Sequence, residues 1–218
     1  YFLRDRDDKP ASVTLEDGTT VALLDVSQPE AGVHIRERVR QIIDEWGCDL
    51  IKADMLSYTI GPLAEFDDFV WHDKSLTSVE LYRLGIQLLN QAIQDSPREA
   101  LLEGHNACSG PSIGGFSLNH PLSTNGDPVG SGLWDDSRGL KHIISAHATY
   151  LSMHNTVWTN EFGAIAVDEP RPTNEVVVAM TAAALSGGVV TCADDFSTLK
   201  PARAELLAKL FPLTGKSA

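Results

Sequence analysis

Lys52 and Asp54 are the first two residues of this sequence whose types and spacing suggest chemistry. They belong to residues 49–54, Asp-Leu-Ile-Lys-Ala-Asp, which we predict to form a strand. Alternate side chains of a strand share a face, so the ammonium and the carboxylate point to the same side. Charges on an apolar strand are costly unless they are paired or used, so two interpretations stand. Either the residues form a structural ion pair, or the ammonium keeps the carboxylate ionised to attack or orient a substrate.

A polar loop with glycines follows the next predicted strand, residues 100–103. It contains His105, Asn106 and Cys108, and the glycines around them let a ligand approach the backbone closely. We predict that these three residues contact a substrate; the alternative is a solvated turn.

Trp134, Asp135 and Asp136 combine an aromatic ring with two adjacent acids. An acid beside a ring that stacks on a ligand or forms a pocket wall has the composition of a general-acid site. Two aspartates before a helix also fit an N-cap, so the pattern alone leaves both interpretations open.

Two later strand ends carry further candidates for binding a ligand's hydroxyl groups. Trp158 and Asn160 follow a strand predicted near residues 156–158, and Asp194 follows the last predicted strand. Each of these side chains is able to form a hydrogen bond with a hydroxyl group. Asp194 or its neighbour Asp195 fits a capping role before the final helix equally well.

The composition argues against several classes of partner. The 17 Lys and Arg against 30 Asp and Glu give a net charge of −13, and no basic cluster is present to follow a phosphate backbone. No apolar run reaches the roughly 18 residues that a bilayer-spanning helix needs. We therefore expect a soluble protein without nucleic-acid or membrane partners. Its compartment, cytoplasmic or secreted, and homo-oligomerisation stay open.

No cofactor or metal motif is present in the sequence. It lacks a Gly-x-Gly-x-x-Gly fingerprint, a phosphate-binding loop, a Gly-x-Ser-x-Gly elbow and a His-Glu-x-x-His helix. His142 and His147 on one predicted helix do not have ligand spacing, and Cys48, Cys108 and Cys192 match neither a disulfide framework nor a zinc site. We expect no cofactor, no metal, and reduced, half-buried thiols.

Segments whose apolar residues recur with the period of a strand alternate along the chain with segments that have the period of a helix. This alternation is typical of βα units around a parallel sheet. The predicted strands lie at residues 21–26, 49–54, 100–103, near 133–134, near 156–158 and at 188–192. The predicted helices lie at residues 29–46, 75–94, 138–153, 174–185 and 201–210, and a long polar loop covers 104–130. About six strands are two short of the eight in a (β/α)8 barrel, where functional groups sit at the carboxyl ends of the strands.

Two segments near the N-terminus carry a family resemblance. The sequence reads Leu-Asp-Val-Ser-Gln-Pro-Glu at residues 24–30 and Trp-Gly-Cys-Asp-Leu-Ile-Lys-Ala-Asp at residues 46–54. Both segments resemble clan D glycoside hydrolases, the α-galactosidase superfamily, and family 36 most closely. A more diffuse similarity continues to residues 206–212, so the resemblance covers nearly the whole chain.

The resemblance implies an α/β fold, a (β/α)8 TIM barrel. Residues 1–218 would cover about strands 3 to 8 of this catalytic domain, as a fragment of a longer protein that supplies the first two βα units. It also implies a retaining exo-α-glycosidase, α-galactosidase-like, that acts on an oligosaccharide or glycoside through a covalent glycosyl intermediate. Asp54 matches the family nucleophile and Lys52 a lysine that contacts sugar hydroxyls. The acid/base falls on Asp136 or Asp135, with Asp136 favoured.

Two departures from the family pattern concern the sugar specificity. Ser131 or Gly132 replaces the family arginine, and an Asn-Asp-Pro-Asp stretch reads Asn-Glu-Phe-Gly at residues 160–163. A clan member with another sugar specificity and an inactive carbohydrate-binding barrel therefore stand as alternatives. Neither departure touches Asp54.

Overall fold

Two compact units make up the chain in a computed structural model, Tyr1–Ser117 and Leu118–Ala218. The structure describes residues 1–14, 18–54, 56, 69–105, 107, 110–119, 134 and 139–212. Each unit has its own strands, helices and apolar core.

The first unit combines short antiparallel pairs with one parallel pair of strands. Its described strands are β1 (Arg4–Asp5), β2 (Ser12–Thr14), β3 (Thr20–Ala22), β4 (Leu50–Ala53), β5 (Phe69–Val70) and β6 (Leu101–Gly104). Its helices are α1 (Pro29–Arg40), which continues into a π-helical turn (Gln41–Glu45), and α2 (Ser78–Gln94). β1 pairs with β5 and β2 with β3 in antiparallel fashion, whereas β4 and β6 are parallel.

The predicted strand at residues 21–26 pairs locally and is not a strand of the parallel sheet. Its first part, β3, forms an antiparallel hairpin with β2, and Gly18 between them has a φ of 84°. The N–H of the buried Leu23 then donates to the Ala11 carbonyl, and the Leu23 carbonyl accepts the Leu3 N–H. The prediction of a first barrel strand here is wrong, because an apolar extended segment does not specify the strand with which it pairs.

Both predicted helices of the first unit are confirmed, with small shifts at their ends. α1 and its π-helical turn cover the predicted residues 29–46, and Gly47, with a φ of 74°, follows them. α2 begins at Ser78 because Thr77 and Glu80 form a capping box, in which the Glu80 carboxylate accepts the Thr77 N–H at 2.8 Å. This backbone hydrogen bond, together with that from the Thr77 hydroxyl, lowers the pKa of Glu80 from its ordinary value.

β4 and β6 confirm the strands predicted at residues 49–54 and 100–103, and they present one face to the helices. Ile51, Ala53 and Leu102 pack into the core that α2 covers. Strand alternation puts Lys52 and Glu103 on the opposite face, and the register makes these two residues direct neighbours. The parallel pair therefore separates an apolar face from a charged one.

The segment that follows β6 is fastened to α2. The Tyr82 hydroxyl and the Ser112 hydroxyl form a buried hydrogen bond of 2.7 Å. The Asn90 side-chain amide donates to the Gly115 carbonyl at 2.8 Å. The helix that follows β4 in the chain thus holds the segment that follows β6 in place.

The second unit has three parallel strands and three α-helices among its described residues. The strands are β7 (Leu118–Asn119), β8 (Thr159–Ile165) and β9 (Val189–Cys192). The helices are α3 (Leu140–Tyr150), which ends in a 3-10 turn (Leu151–Met153), α4 (Thr173–Ser186) and α5 (Pro201–Ala208). β8 pairs with β7 on one side and with β9 on the other, with an irregularity between Glu161 and Ala164.

These elements confirm most of the prediction for the second unit and the α/β class. The helices predicted at residues 138–153, 174–185 and 201–210 and the strand at 188–192 are present. β7 lies inside the long loop predicted at residues 104–130 and was not predicted. Leu133 of the element predicted near 133–134 lies outside the described residues. None of the described helices is long and apolar enough to cross a membrane.

The strand predicted near residues 156–158 is displaced, because β8 begins at Thr159. A hydrogen bond of 2.8 Å from the Asn155 N–H to the Trp158 carbonyl closes a turn over these residues, and Asn155 has a φ of 57°. The residues of this turn therefore lie before the strand. β8 itself contains Gly163 at a bulge, which obscures the alternation that identifies strands in a sequence.

Gly188 marks a close approach between the beginnings of β8 and β9. A Cβ atom at this position would lie 2.0 Å from the Asn160 carbonyl oxygen. That oxygen belongs to the backbone of a buried residue, so it cannot rotate away as a side chain would. Only glycine fits there without moving one of the two strands.

We expect Gly188→Ala to lower the free energy of unfolding by about 2 kcal/mol or more, because the new methyl group forces the strands apart. The matched control is Gly110→Ala, since a Cβ atom at Gly110 meets nothing within 4 Å and its φ is not positive. Urea unfolding of both variants measures the difference. Equal unfolding midpoints would contradict the close approach at Gly188.

Candidate active site

The carboxyl ends of β4 and β6 bring Asp54 and His105 together. The strands are parallel, with Ala53 opposite Gly104, so the residues that follow lie side by side at one edge. The His105 backbone N–H donates to the Ala53 carbonyl at 2.9 Å and extends the ladder by one step. Asp54 Oδ1 and His105 Nδ1 are 2.6 Å apart, the distance of a short charge-assisted hydrogen bond.

Asp54 and His105 differ sharply in exposure. The Asp54 side chain is 44% exposed, whereas that of His105 is 9% exposed. An ionised carboxylate only accepts hydrogen bonds, so Nδ1 of the ring carries the proton that they share. The pair presents a carboxylate to the solvent and keeps the imidazole behind it.

Lys52 and Glu103 form a second pair, one layer below the first on the same face of the strands. Lys52 Nζ lies 3.5 Å from Glu103 Oε1. The Glu103 side chain is 5% exposed, and the Lys52 side chain is 44% exposed. A buried carboxylate is costly by itself, and the ammonium at the strand surface offsets part of that cost.

The ion pair of Lys52 is therefore with Glu103 and not with Asp54, which corrects the sequence-based pairing of Lys52 with Asp54. The physical reason is the geometry of parallel strands. Two residues on the same face of one strand are about 6.6 Å apart, whereas neighbours on adjacent strands are about 4.8 Å apart. A short interaction forms across the strands more readily than along one strand.

Five residues of the predicted site cannot be placed beyond their position in the chain or a local turn. Asn106, Cys108, Asp135 and Asp136 lie outside the described residues. Trp134 is described as a turn residue with an exposed side chain. The roles proposed for these residues stay predictions.

Trp158 directly precedes β8 and Asn160 is its second residue, so neither follows a strand, and both are buried. Trp158 Nε1 donates to Asn160 Oδ1 at 2.8 Å, and Asn160 Nδ2 donates to the Tyr150 carbonyl at 3.0 Å. The Asn160 backbone N–H donates to His154 Nδ1 at 3.1 Å. This network fastens the end of α3 to β8, so the contacts observed for both residues are structural.

Asp194 follows β9, as predicted, and connects it to the end of β8. Its carboxylate accepts the Val167 N–H at 2.8 Å and the Asp168 N–H at 2.9 Å, and Cys192 Sγ lies 3.1 Å from it. Both carboxylate oxygens thus already accept protein donors, and sugar binding by Asp194 stays a prediction. The neighbouring Asp195 caps the turn before α5 by accepting the Ser197 hydroxyl at 2.6 Å.

Three buried acids of the described residues, Asp25, Glu103 and Glu161, were not assigned a role from the sequence. Glu161 accepts the Thr191 hydroxyl at 3.2 Å. Glu103 shares a strand face with His105, and the alternation argument applied to β4 would have identified it. Asp25 is 1% exposed, and its carboxylate accepts hydrogen bonds from the Ser27 hydroxyl and from the His72 backbone N–H. A local sequence pattern could have identified Asp25, because it stands two residues before a Ser at the start of a helix.

No group of three or more His, Cys, Asp or Glu side chains within the described ranges is arranged to hold a metal ion. Cys48 and Cys192 are half-buried free thiols.

We expect Asp194→Ala to lower the free energy of unfolding by about 2–3 kcal/mol, because it leaves the N–H of the buried Val167 without its acceptor. Asp195→Ala is the matched control, and its exposed turn should lose less than about 1 kcal/mol. Chemical denaturation measures both. Equal losses for the two variants would show that Asp194 does not hold the strand ends.

Burial raises the pKa of the Cys192 thiol from 9.0 to about 11, and Asp194 contributes in both directions. Only the thiolate reacts with iodoacetamide, so Cys192 should be alkylated roughly a hundredfold more slowly at pH 8 than an ordinary exposed thiol. The rate should keep rising as the pH passes 10. Mass spectrometry of the modified peptides measures it, and a plateau below pH 9 would contradict the raised pKa.

Solved structures with a similar fold include several glycosidases. An α-galactosidase from Thermus thermophilus in complex with stachyose matches with a TM-score of 0.72 and 19% identity, over 97% of this chain and 44% of that chain. A GH31 sulfoquinovosidase from E. rectale matches with a TM-score of 0.64 and 15% identity, over 96% of this chain and 31% of that chain. A GH27 β-L-arabinopyranosidase from Geobacillus stearothermophilus matches with a TM-score of 0.60 and 13% identity, over 92% of this chain and 45% of that chain. No model of a protein family and no curated protein matches the sequence.

The chain spans less than half the length of these solved structures. At such identities the similarity concerns the fold, and it agrees with the parallel strands and flanking helices of both units. It also agrees with the fold implied by the resemblance of residues 24–30 and 46–54 to clan D enzymes. The chain therefore has the fold of part of a (β/α)8 barrel, which it shares with these glycosidases.

Proposed function

We propose that this chain carries the nucleophile of a retaining glycoside hydrolase, and that the nucleophile is Asp54. The observation that supports the proposal is the position of its carboxylate. Asp54 directly follows a parallel strand, its side chain is 44% exposed, and it is bound at 2.6 Å by a buried imidazole. In (β/α)8 barrels the carboxyl ends of the strands are where catalytic groups are found.

The exposure of the two partners supports Asp54 over His105 as the reacting group. An Asp–His pair also fits an imidazole base that a carboxylate orients, as in serine hydrolases. In that arrangement the ring must reach the substrate, but the His105 side chain is only 9% exposed. The solvent-facing group is the carboxylate of Asp54, which favours a carboxylate nucleophile.

The proposed reaction proceeds in two displacements at the anomeric carbon. A carboxylate oxygen of Asp54 bonds to that carbon while the glycosidic bond breaks, and a second carboxyl group gives its proton to the departing oxygen. The same group then takes a proton from water, whose oxygen displaces Asp54 and releases the sugar. We propose Asp136 as this acid/base, with Asp135 as the alternative; both lie outside the described residues.

The proposed substrate is a terminal α-linked sugar, with an α-galactoside first. One matching structure is an α-galactosidase solved with stachyose, and another is a dextranase complexed with glucose. The fold therefore accepts several sugars, and the departures at residues 131–132 and 160–163 leave the identity of the sugar to experiment. A panel of 4-nitrophenyl α-glycosides assayed on the full-length protein ranks the candidates.

We expect Asp54→Asn to reduce hydrolysis of 4-nitrophenyl α-galactopyranoside by about 10³-fold or more, because the neutral amide cannot attack the anomeric carbon. Asp54→Gly should recover activity when azide is added and form β-galactosyl azide, since the anion enters the vacated space. Product analysis by NMR identifies the azide.

The matched control is Asp49→Asn, at the other end of the same strand. Asp49 has an 80% exposed side chain that pairs with Arg98, so its variant should keep the wild-type rate. If Asp54→Asn also keeps that rate, Asp54 is not the nucleophile. If the wild-type protein binds α-galactosides without hydrolysing them, the alternative of a carbohydrate-binding barrel replaces the enzyme.

A further inference from the structure

We infer that His105 is the positioning residue of Asp54: its Nδ1–H donates to Oδ1 and fixes the carboxylate in the orientation for attack. This inference rests on the proposed function and assigns His105 a role different from the substrate contact predicted from the sequence. The contact that carries it is the 2.6 Å hydrogen bond between the two side chains.

A hydrogen bond of its own backbone holds His105 in position. Its N–H bonds to the Ala53 carbonyl at 2.9 Å, so the residue continues the ladder of β4 and β6. Its side chain is 9% exposed, and few ring orientations are open to a side chain packed in this way. The donor nitrogen is therefore presented at a set position relative to β4.

Asp54 needs such a partner because its own side chain is 44% exposed. The terminal torsion of an aspartate is broad, so an exposed carboxylate samples many orientations. A hydrogen bond to a charged group is shorter and about twice as strong as a neutral one, and it selects one of these orientations. It also stabilises the ionised form, which is the nucleophilic one.

A general-acid role for His105 would require a different arrangement. A general acid must reach the leaving oxygen of the substrate within hydrogen-bond distance. The buried ring directs Nδ1 at Asp54 instead, so His105 acts on the reaction through the nucleophile.

The test compares three replacements of His105 in the full-length protein. His105→Asn places an amide N–H near the position of Nδ1, His105→Gln moves it about one bond further, and His105→Phe keeps the ring shape without a donor. His34→Phe, on α1, where the ring stacks on Tyr1, is the matched histidine control. Thermal unfolding of every variant shows whether the fold is kept.

Two probes separate positioning from acid catalysis. Methyl α-galactopyranoside and α-galactosyl fluoride are both assayed, because an alkoxide departs only with a proton from an acid, whereas fluoride departs with little such help. We expect His105→Phe and His105→Gln to lower kcat/KM about ten- to hundredfold with both probes, as for the loss of a charged hydrogen bond. His105→Asn should recover most of that loss, and His34→Phe should match the wild type.

Two results would overturn the inference while leaving Asp54 as the nucleophile. In the first, the defect of His105→Phe disappears with the fluoride, which assigns acid catalysis to the ring. In the second, all three variants lose the same activity or none, which removes the role of the Nδ1 donor. Wild-type activity in Asp54→Asn would instead overturn the proposed function itself, and the positioning role with it.

Discussion

The parallel register between β4 and β6 is the constraint on which the candidate site depends. It sets Lys52 beside Glu103 and, two residues further, Asp54 beside His105. A shift of one strand by one residue would turn its two polar side chains towards the helices and its apolar residues away from them. The helix-facing residues of both strands are buried in the core, so such a shift would expose that core. Hydrophobic packing on one face thus fixes the charge pattern on the other.

Carboxylates at the strand ends have different roles because different groups donate hydrogen bonds to them. The oxygens of Asp194 accept two backbone N–H groups, which tie the end of β8 to the end of β9. Asp54 instead accepts a side-chain donor and keeps a large part of its surface in solvent. The first arrangement stabilises the fold of the second unit, and the second arrangement leaves a group available for chemistry.

Much of the fold was predictable because its signals are local. The helices follow from apolar periodicity and end at residues such as Gly47, and β4 and β9 follow from short apolar runs. The strand at residues 21–26 and the start of β8 were misplaced, since pairing partners and the turn at Asn155 depend on contacts that a local pattern does not contain.

The candidate site was predictable in part for the same reason. Alternation identified Lys52 and Asp54 as residues on one strand face. The partner of each lies on a strand about 50 positions further along the chain, and the sequence does not state the register that joins them. Asn160 is a different case: its residue type suits a sugar, its amide forms hydrogen bonds within the fold, and its sugar contact stays a prediction.

Glu103 imposes a joint constraint on two positions of the chain. Its carboxylate is almost completely buried and forms its ion pair with Lys52. A change that removed the positive charge at position 52 alone would take away a cation that offsets part of the cost of this burial. During evolution, the lysine and the acid should therefore be inherited or lost together, as a covarying pair that links two strands far apart in sequence.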